Sequence, residues 1–357
     1  MSSDEIALRE LCGRIPIASA ATTAAARARL DKLTKPPGSL GALEPLIVRL
    51  AAMTGQIRPE FTRPTVLVAA GDHGVVAERV SAYPQSVTGQ MVLNFLRGGA
   101  AINALAANAG ARVIVVDAGV AADLPDHPGL RRASAGRGTR NLLREPAMSR
   151  AEAAGAVLAG ARIVAAEAES GRDLLALGEM GIGNTTPAAC LTSAFTGFAP
   201  ELTTGRGAGL DDPQLDHKRA VVAGALRRAR PKTSDPLGVL AELGGFEIAA
   251  LAGAALAAAE RRIPVVLDGY ITASAALVAV ALAPNLRHFL IAAHRSAEPG
   301  HRVALEHLGL QPLLTLDMRL GEGSGAALAL PLIIGAARVM REMATFEQAG
   351  VDDKVTR

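Results

Sequence analysis

A chain of 357 residues is long enough for one large α/β domain with a helical annex, or for two domains of ordinary size. Its 50% hydrophobic and 20% charged residues exclude the disordered class, and 3% aromatics with no Trp leave a core of Ala, Leu, Val and Ile. A formal charge of +3 without a basic block argues against nucleic-acid binding, and Cys12 and Cys190, in no CxxC pair, imply neither a zinc site nor a disulfide framework.

The first residues carry Asp4, Glu5 and Glu10 where a secretory leader needs a basic start and an apolar run, so a cytoplasmic protein is expected. The first fifty residues read as helices broken by the turn KPPGSLG, Lys35 to Gly41. Short β-branched runs follow at Thr65 to Ala69, Arg112 to Val116, Pro264 to Leu267 and His288 to Ile291, each ahead of a loop and then a helix. That alternation predicts a parallel sheet, whose strands are covered on both faces and so read as continuous apolar runs. In such sheets ligands sit beyond the strand C-termini, which directs attention to the loops after the strands.

DDPQLDHKRAVVAGALRRAR predicts a helix with an Asp cap, Pro213 in its first turn and Arg at its end. The Ala-rich segment Ile248 to Ala259 reads as a core helix. The longest uncharged stretch, Gly269 to Leu286, holds Thr272, Ser274, Pro284 and Asn285 and reads as a buried helix, so no membrane association is expected. The last thirty-five residues read as a long apolar helix with a charged tail, and both chain ends could pack as a small domain.

Three segments carry chemistry. GEMGIGNTTPAA, Gly178 to Ala189, sets a carboxylate, glycines and hydroxyls between an apolar run and a helix, with Asn184 or Thr185 at the cap. Unpaired backbone N–H groups at such a helix start stabilise a phosphate without a metal. A tight strand-to-helix turn is the alternative reading. RLGEGSGAALALPL, Arg319 to Leu332, places Glu322 between two glycines ahead of an apolar helix, either as a desolvated proton acceptor or as a complement to the helix dipole. The segment Val66 to Met91 holds Asp72 and His73, read as loop-stabilising hydrogen-bond groups because no other His stands at ligand spacing. Tyr83 and Met91 are candidates for a flat aromatic slot, with core packing as the alternative for Met91. Lys218 and Ser296 are candidate phosphate or ribose contacts, although a single Lys on a helix is more often solvated.

Taken together, LTKPPGSLGALE, AGDHGVV, GEMGIGNTTPAA, VLDGYITASAAL, HRSAEPG and RLGEGSGAALALPL, in this order from Leu33 to Leu332, resemble the nicotinate-nucleotide:dimethylbenzimidazole phosphoribosyltransferases. The resemblance implies a Rossmann-like parallel sheet flanked by helices, residues 60–320, and a small helical domain from 1–59 plus 321–357. It implies transfer of ribose phosphate from nicotinate mononucleotide to dimethylbenzimidazole or a related base, as in cobalamin lower-ligand assembly. It also implies a homodimer, with no metal and no cofactor. On the matching positions, Glu322 stands where the family has its catalytic base, and Glu179 and Lys218 where it has supporting groups. Gly181, Ile182, Gly183, Asn184, Thr185, Gly207 and Ser296 match its nucleotide-phosphate region, and Tyr83 and Met91 its base-binding segment. Two rival readings are a transferase or nucleosidase acting on a different base, with water or a purine as nucleophile, and a binding protein without turnover.

Overall fold

The computed structural model describes residues 2–352. Three helices come first: α1 (Ser3–Gly13), capped by the Ser2 side chain, α2 (Ala20–Leu30), capped by Ser19, and α3 (Leu43–Thr54), which follows the predicted Lys35 turn. Strand β1 (Pro64–Gly71) is buried along its whole length. Helices α4 (Ser86–Leu96) and α5 (Ala101–Asn108) lead to β2 (Arg112–Gly119) and the short edge strand β3 (Leu130–Arg132).

The long helix α6 (Arg150–Glu169) starts in a Ser149–Glu152 capping box and runs back to β4 (Leu174–Met180). An insertion of five helices follows: α7 (Thr185–Thr196), α8 (Pro200–Thr203), α9 (Asp212–Ala229), α10 (Pro236–Leu243) and α11 (Phe246–Glu260). Next come β5 (Val265–Leu267), α12 (Tyr270–Leu282), β6 (Leu290–Ala292) and β7 (His294–Arg295). The chain then forms α13 (Pro299–Leu308), β8 (Leu314–Thr315), α14 (Ser324–Glu342) and α15 (Phe346–Ala349).

The main sheet is parallel throughout, in the order β3-β2-β1-β4-β5-β6, and β7 pairs with β8 separately. This is the doubly wound order, whose direction of winding reverses between β1 and β4; the loops after those two strands therefore diverge and open a crevice. Helix α11 covers one face of β1, β2 and β4 and is backed by α6, while α5 and α14 pack together near β2 and β4. Every residue from Phe246 to Ala259 is buried, so α11 has no solvated stripe, as its near-continuous Ala and Leu require. Its contact with α6 is a backbone contact: a β-carbon on Gly160 would lie 1.9 Å from the Ala250 carbonyl oxygen, and one on Gly253 would lie 1.7 Å from that of Val157.

The chain ends meet. Leu33 bridges to Thr345, the Thr34 N–H donates to the Ala344 carbonyl at 3.0 Å, and that of Phe346 to the Lys32 carbonyl at 3.0 Å. Helix α14 packs on α3 as well as on α5 and β4, whereas α1 docks on α6 and α11. By length and composition α14 could cross a membrane, and here it is packed within the fold, with Ala329, Leu330 and Ile333 buried.

Candidate active site

The crevice at the switch between β1 and β4 is a partly open cleft with room for about 150 Å³ of water-sized contents. Its floor is the turn from β4 into α7, Met180 to Thr185. Gly181 packs there so closely that a β-carbon would approach the Gly71 carbonyl oxygen to 2.5 Å. Asn184 occupies the cap position of α7 without capping it; its side-chain amide donates instead to Glu179. In the first turn of α7 the Thr186 N–H is taken by the Gly183 carbonyl at 3.0 Å, and Pro187 has none. The Thr185 N–H, beside that of Gly183, is therefore the one left without a partner among the described residues at a cleft-lining helix start, a position that favours an anion.

Lys218 comes to this floor from α9. It is 1% exposed, not solvated as a lone helical Lys usually is. Its Nζ donates to Thr185 Oγ1 at 2.6 Å and to the Gly205 carbonyl at 3.2 Å. Burial pulls its pKa down to about 8, opposed by the carboxylate of Glu298. Glu298 accepts the Gly207 N–H at 2.8 Å and so ties the loop after α8 to the start of α13. Ser296 lines the same wall, positioned by its N–H bond of 2.9 Å to His301 Nδ1.

The carboxylates occupy the other wall. Glu179, at the end of β4, is 6% exposed, and burial drives its pKa up to about 8; the Asn184 amide opposes that rise, and Asp268, Glu247 and Glu322 add to it. Glu322 is 5% exposed and lies in the left-handed region at φ 65°, between Gly321 at 83° and Gly323 at 87°. Three consecutive left-handed residues need outside support, and three contacts supply it. The Glu322 N–H donates to the Glu179 carbonyl at 3.2 Å. Asp268, beyond β5, accepts the N–H groups of Gly323 at 3.2 Å and Ala326 at 2.9 Å. Gly178 makes room, since a β-carbon there would stand 2.4 Å from the Glu322 carbonyl oxygen. The Glu322 side chain then turns toward the first turn of α5, where it accepts the Ile102 N–H at 3.4 Å. Burial raises its pKa, and that bond opposes the rise.

Gly181, Ile182, Gly183, Asn184, Thr185, Gly207, Ser296 and Glu179 all line the cleft. Lys218 reaches it through Thr185, and Glu322 lies just behind Gly321, one of its wall residues. Tyr83 and Met91 are not brought into this wall: Tyr83 is 51% exposed, and Met91 is half-buried on α4. Val80 and Ser81, three and two residues before Tyr83, line it instead. Asp72 and His73 hold loops, Asp72 by accepting the Ala121 N–H at 2.8 Å and His73 through a fully buried bond of 2.8 Å to Glu247. Asp268, Glu298 and Arg319 were not singled out from sequence, although each lies inside a segment that was; only the fold shows which polar residue of a loop faces inward.

The model of the phosphoribosyltransferase family matches residues 15–351. A nicotinate-nucleotide–dimethylbenzimidazole phosphoribosyltransferase of Deinococcus radiodurans is 56% identical over 98% of this chain and 96% of its own length. One of Desulforudis audaxviator is 54% identical over 96% of this chain and 98% of its own. The crystal structure of the enzyme of that name from Thermus thermophilus superposes with a TM-score of 0.90 at 52% identity, covering 94% of this chain and all of that one. A superposition at a TM-score of 0.90, a matching family model over nearly its whole length and relatives more than half identical end to end leave one assignment: the chain belongs to the nicotinate-nucleotide–dimethylbenzimidazole phosphoribosyltransferase family.

Proposed function

We propose that the chain transfers the 5-phosphoribosyl group of nicotinate mononucleotide to dimethylbenzimidazole or a related base, giving an α-riboside phosphate and nicotinate for the assembly of the cobalamin lower ligand. The observation that carries this reading is the meeting of a glycine-rich helix start and a buried ammonium on one side of the cleft with two buried carboxyl groups on the other.

The glycosidic nitrogen of nicotinate mononucleotide belongs to a cationic pyridinium, so the bond breaks to a neutral ring nitrogen and the leaving group needs no proton. A benzimidazole nitrogen attacks the anomeric carbon from the opposite face, which converts the β-glycoside to an α-riboside. Its second nitrogen carries a proton that must leave as the new bond forms, or a second cation accumulates. Glu322 takes that proton, and its raised pKa brings it toward the range where a carboxylate is an effective base at neutral pH. The incoming base enters on the side of the start of α5, toward which the Glu322 carboxylate points.

Glu179 is largely protonated in the free cleft and therefore does not repel the phosphate. Arrival of the pyridinium, and then the oxocarbenium-like charge on the ribose, favours its ionised form beside the reacting carbon. Lys218 and the N–H groups of Gly183 and Thr185 at the start of α7 hold the 5′-phosphate. The family's usual homodimer is proposed here too; light scattering should give twice the 36.5 kDa chain mass.

The direct test mixes the purified protein with nicotinate mononucleotide, with and without dimethylbenzimidazole, and identifies the products. Base-dependent nicotinate release with an equal yield of riboside phosphate is expected. Equal nicotinate release in both mixtures would instead mark a hydrolase.

A further inference from the structure

Among the residues lining the cleft, Arg319 is the only arginine or lysine, and it belongs to none of the ion pairs among the described residues. It stands on the segment between β8 and α14, exposed at the mouth of the cleft. Its Nη1 donates across the opening to the Gly207 carbonyl at 3.3 Å. Gly207 marks the phosphate end, since a β-carbon on it would lie 3.0 Å from Thr185 Oγ1 and 3.3 Å from Lys218 Nζ. The guanidinium therefore hangs over the same end of the cleft that the buried lysine approaches from below.

Charge balance shows why a second cation is needed there. A phosphate monoester brings about −1.5 to −2 at neutral pH. Lys218 supplies one positive charge, and Glu298, bonded to Gly207 on the same wall, supplies one negative charge. With Glu179 protonated, these two cancel and leave only helix and amide dipoles for the dianion. Arg319 turns the balance positive, and four of its five N–H donors carry no hydrogen bond among the described residues, enough for a bidentate grip on two phosphate oxygens.

We infer that Arg319 is a second phosphate-binding residue, which exchanges its bond to the Gly207 carbonyl for the 5′-phosphate of the nucleotide substrate and closes the cleft mouth over it. The substrate assignment rests on the function proposed above, whereas the contact itself requires only a ribose phosphate.

Two measurements on Arg319→Gln and Arg319→Lys test it. Calorimetric binding of ribose 5-phosphate, which involves no turnover, should weaken by about 10- to 100-fold in Arg319→Gln, the loss usual for a charge-assisted hydrogen bond, and by less in Arg319→Lys. Turnover should show the same dependence on phosphate: kcat/KM for nicotinate mononucleotide falls by a similar factor, and that for the phosphate-free nicotinate riboside by less than about threefold. An equal loss for nucleotide and riboside, or unaltered ribose 5-phosphate binding, would overturn the inference. So would a loss seen with nicotinate mononucleotide and not with nicotinamide mononucleotide, because it would assign Arg319 to the ring carboxylate. If the wild-type protein binds ribose 5-phosphate and turns over neither nucleotide, the functional reading fails while Arg319 is still tested by binding.

Discussion

Glu322 occupies a backbone conformation that costs a side chain about 1 to 2 kcal/mol relative to the right-handed one, and it is retained where glycine flanks it on both sides. Strain held by Asp268 and the Glu179 carbonyl aims the carboxylate between α5 and the cleft wall, the kind of stored strain that fits the proton-acceptor role proposed for it. Glu322→Gln keeps the shape and removes the proton acceptor. We expect turnover to fall by about 10² to 10⁴-fold with an unchanged melting temperature; near wild-type turnover would remove Glu322 from its role. Glu179 supplies a pH test. Its folded pKa of about 8 stands above its ordinary 4.5, so the folded state holds the proton more tightly. The stability this contributes is fully present below pH 4.5 and is lost as pH rises through 8. Between about pH 5 and about pH 9 the wild-type melting temperature should therefore drop more than that of Glu179→Gln, which has nothing to ionise. Parallel curves would show that Glu179 is not the group that titrates.

The strands legible in the sequence are those with short apolar, β-branched runs: the runs at Thr65, Arg112, Pro264 and His288 fall on or within a few residues of β1, β2, β5 and β6, whereas the equally buried β4, whose LLALGEM has no β-branched residue, reads only as the apolar run before the GEMG turn. The edge strand LRR of β3, only partly buried, and the two-residue β7 and β8 carry no such pattern, whereas the other edge strand, β6, is buried throughout and keeps it. Helices announced themselves through caps, as at Asp211 and Pro213 of α9. How closely α6 and α11 approach was not legible, since a glycine in an Ala-rich helix looks like a mild weakness. Two opposing magnitudes make that contact testable. Gly→Ala in an open helix gains about 1 kcal/mol from propensity. At Gly253 the new methyl would collide with the Val157 carbonyl, and overpacking of that kind costs typically about 1 to 3 kcal/mol. Gly253→Ala should thus lower the midpoint of denaturant unfolding. Gly335→Ala, on the exposed side of α14 with open space around it, should raise it slightly. A Gly253 variant as stable as the Gly335 variant would refute the close contact.

At the scale of the whole molecule, one helix joins the two ends of the chain to the proposed catalytic turn at Glu322. Helix α14 starts at the Glu322 turn beneath β4 and ends where Met340 and Ala344 meet Arg29 and Thr34. Its 19 residues put those ends roughly 28 Å apart. The two ends are held by different means: the first by Asp268 and the close fit at Gly178, the last by packing on α3 and the bridge between Leu33 and Thr345. Stability and catalysis should therefore separate along it. Leu33 is fully buried at the far end, and Leu33→Ala should cost about 2 to 5 kcal/mol by leaving a cavity between the chain ends. At a temperature where the variant is still folded, kcat should stay within about twofold of wild type, because loosening the last turns leaves the hydrogen bonds around Glu322 in place. Thermal melting and steady-state kinetics on the same preparation decide it. If kcat falls in step with the melting temperature, the strain at Glu322 is sustained by the whole helix and the chain ends belong to the catalytic apparatus.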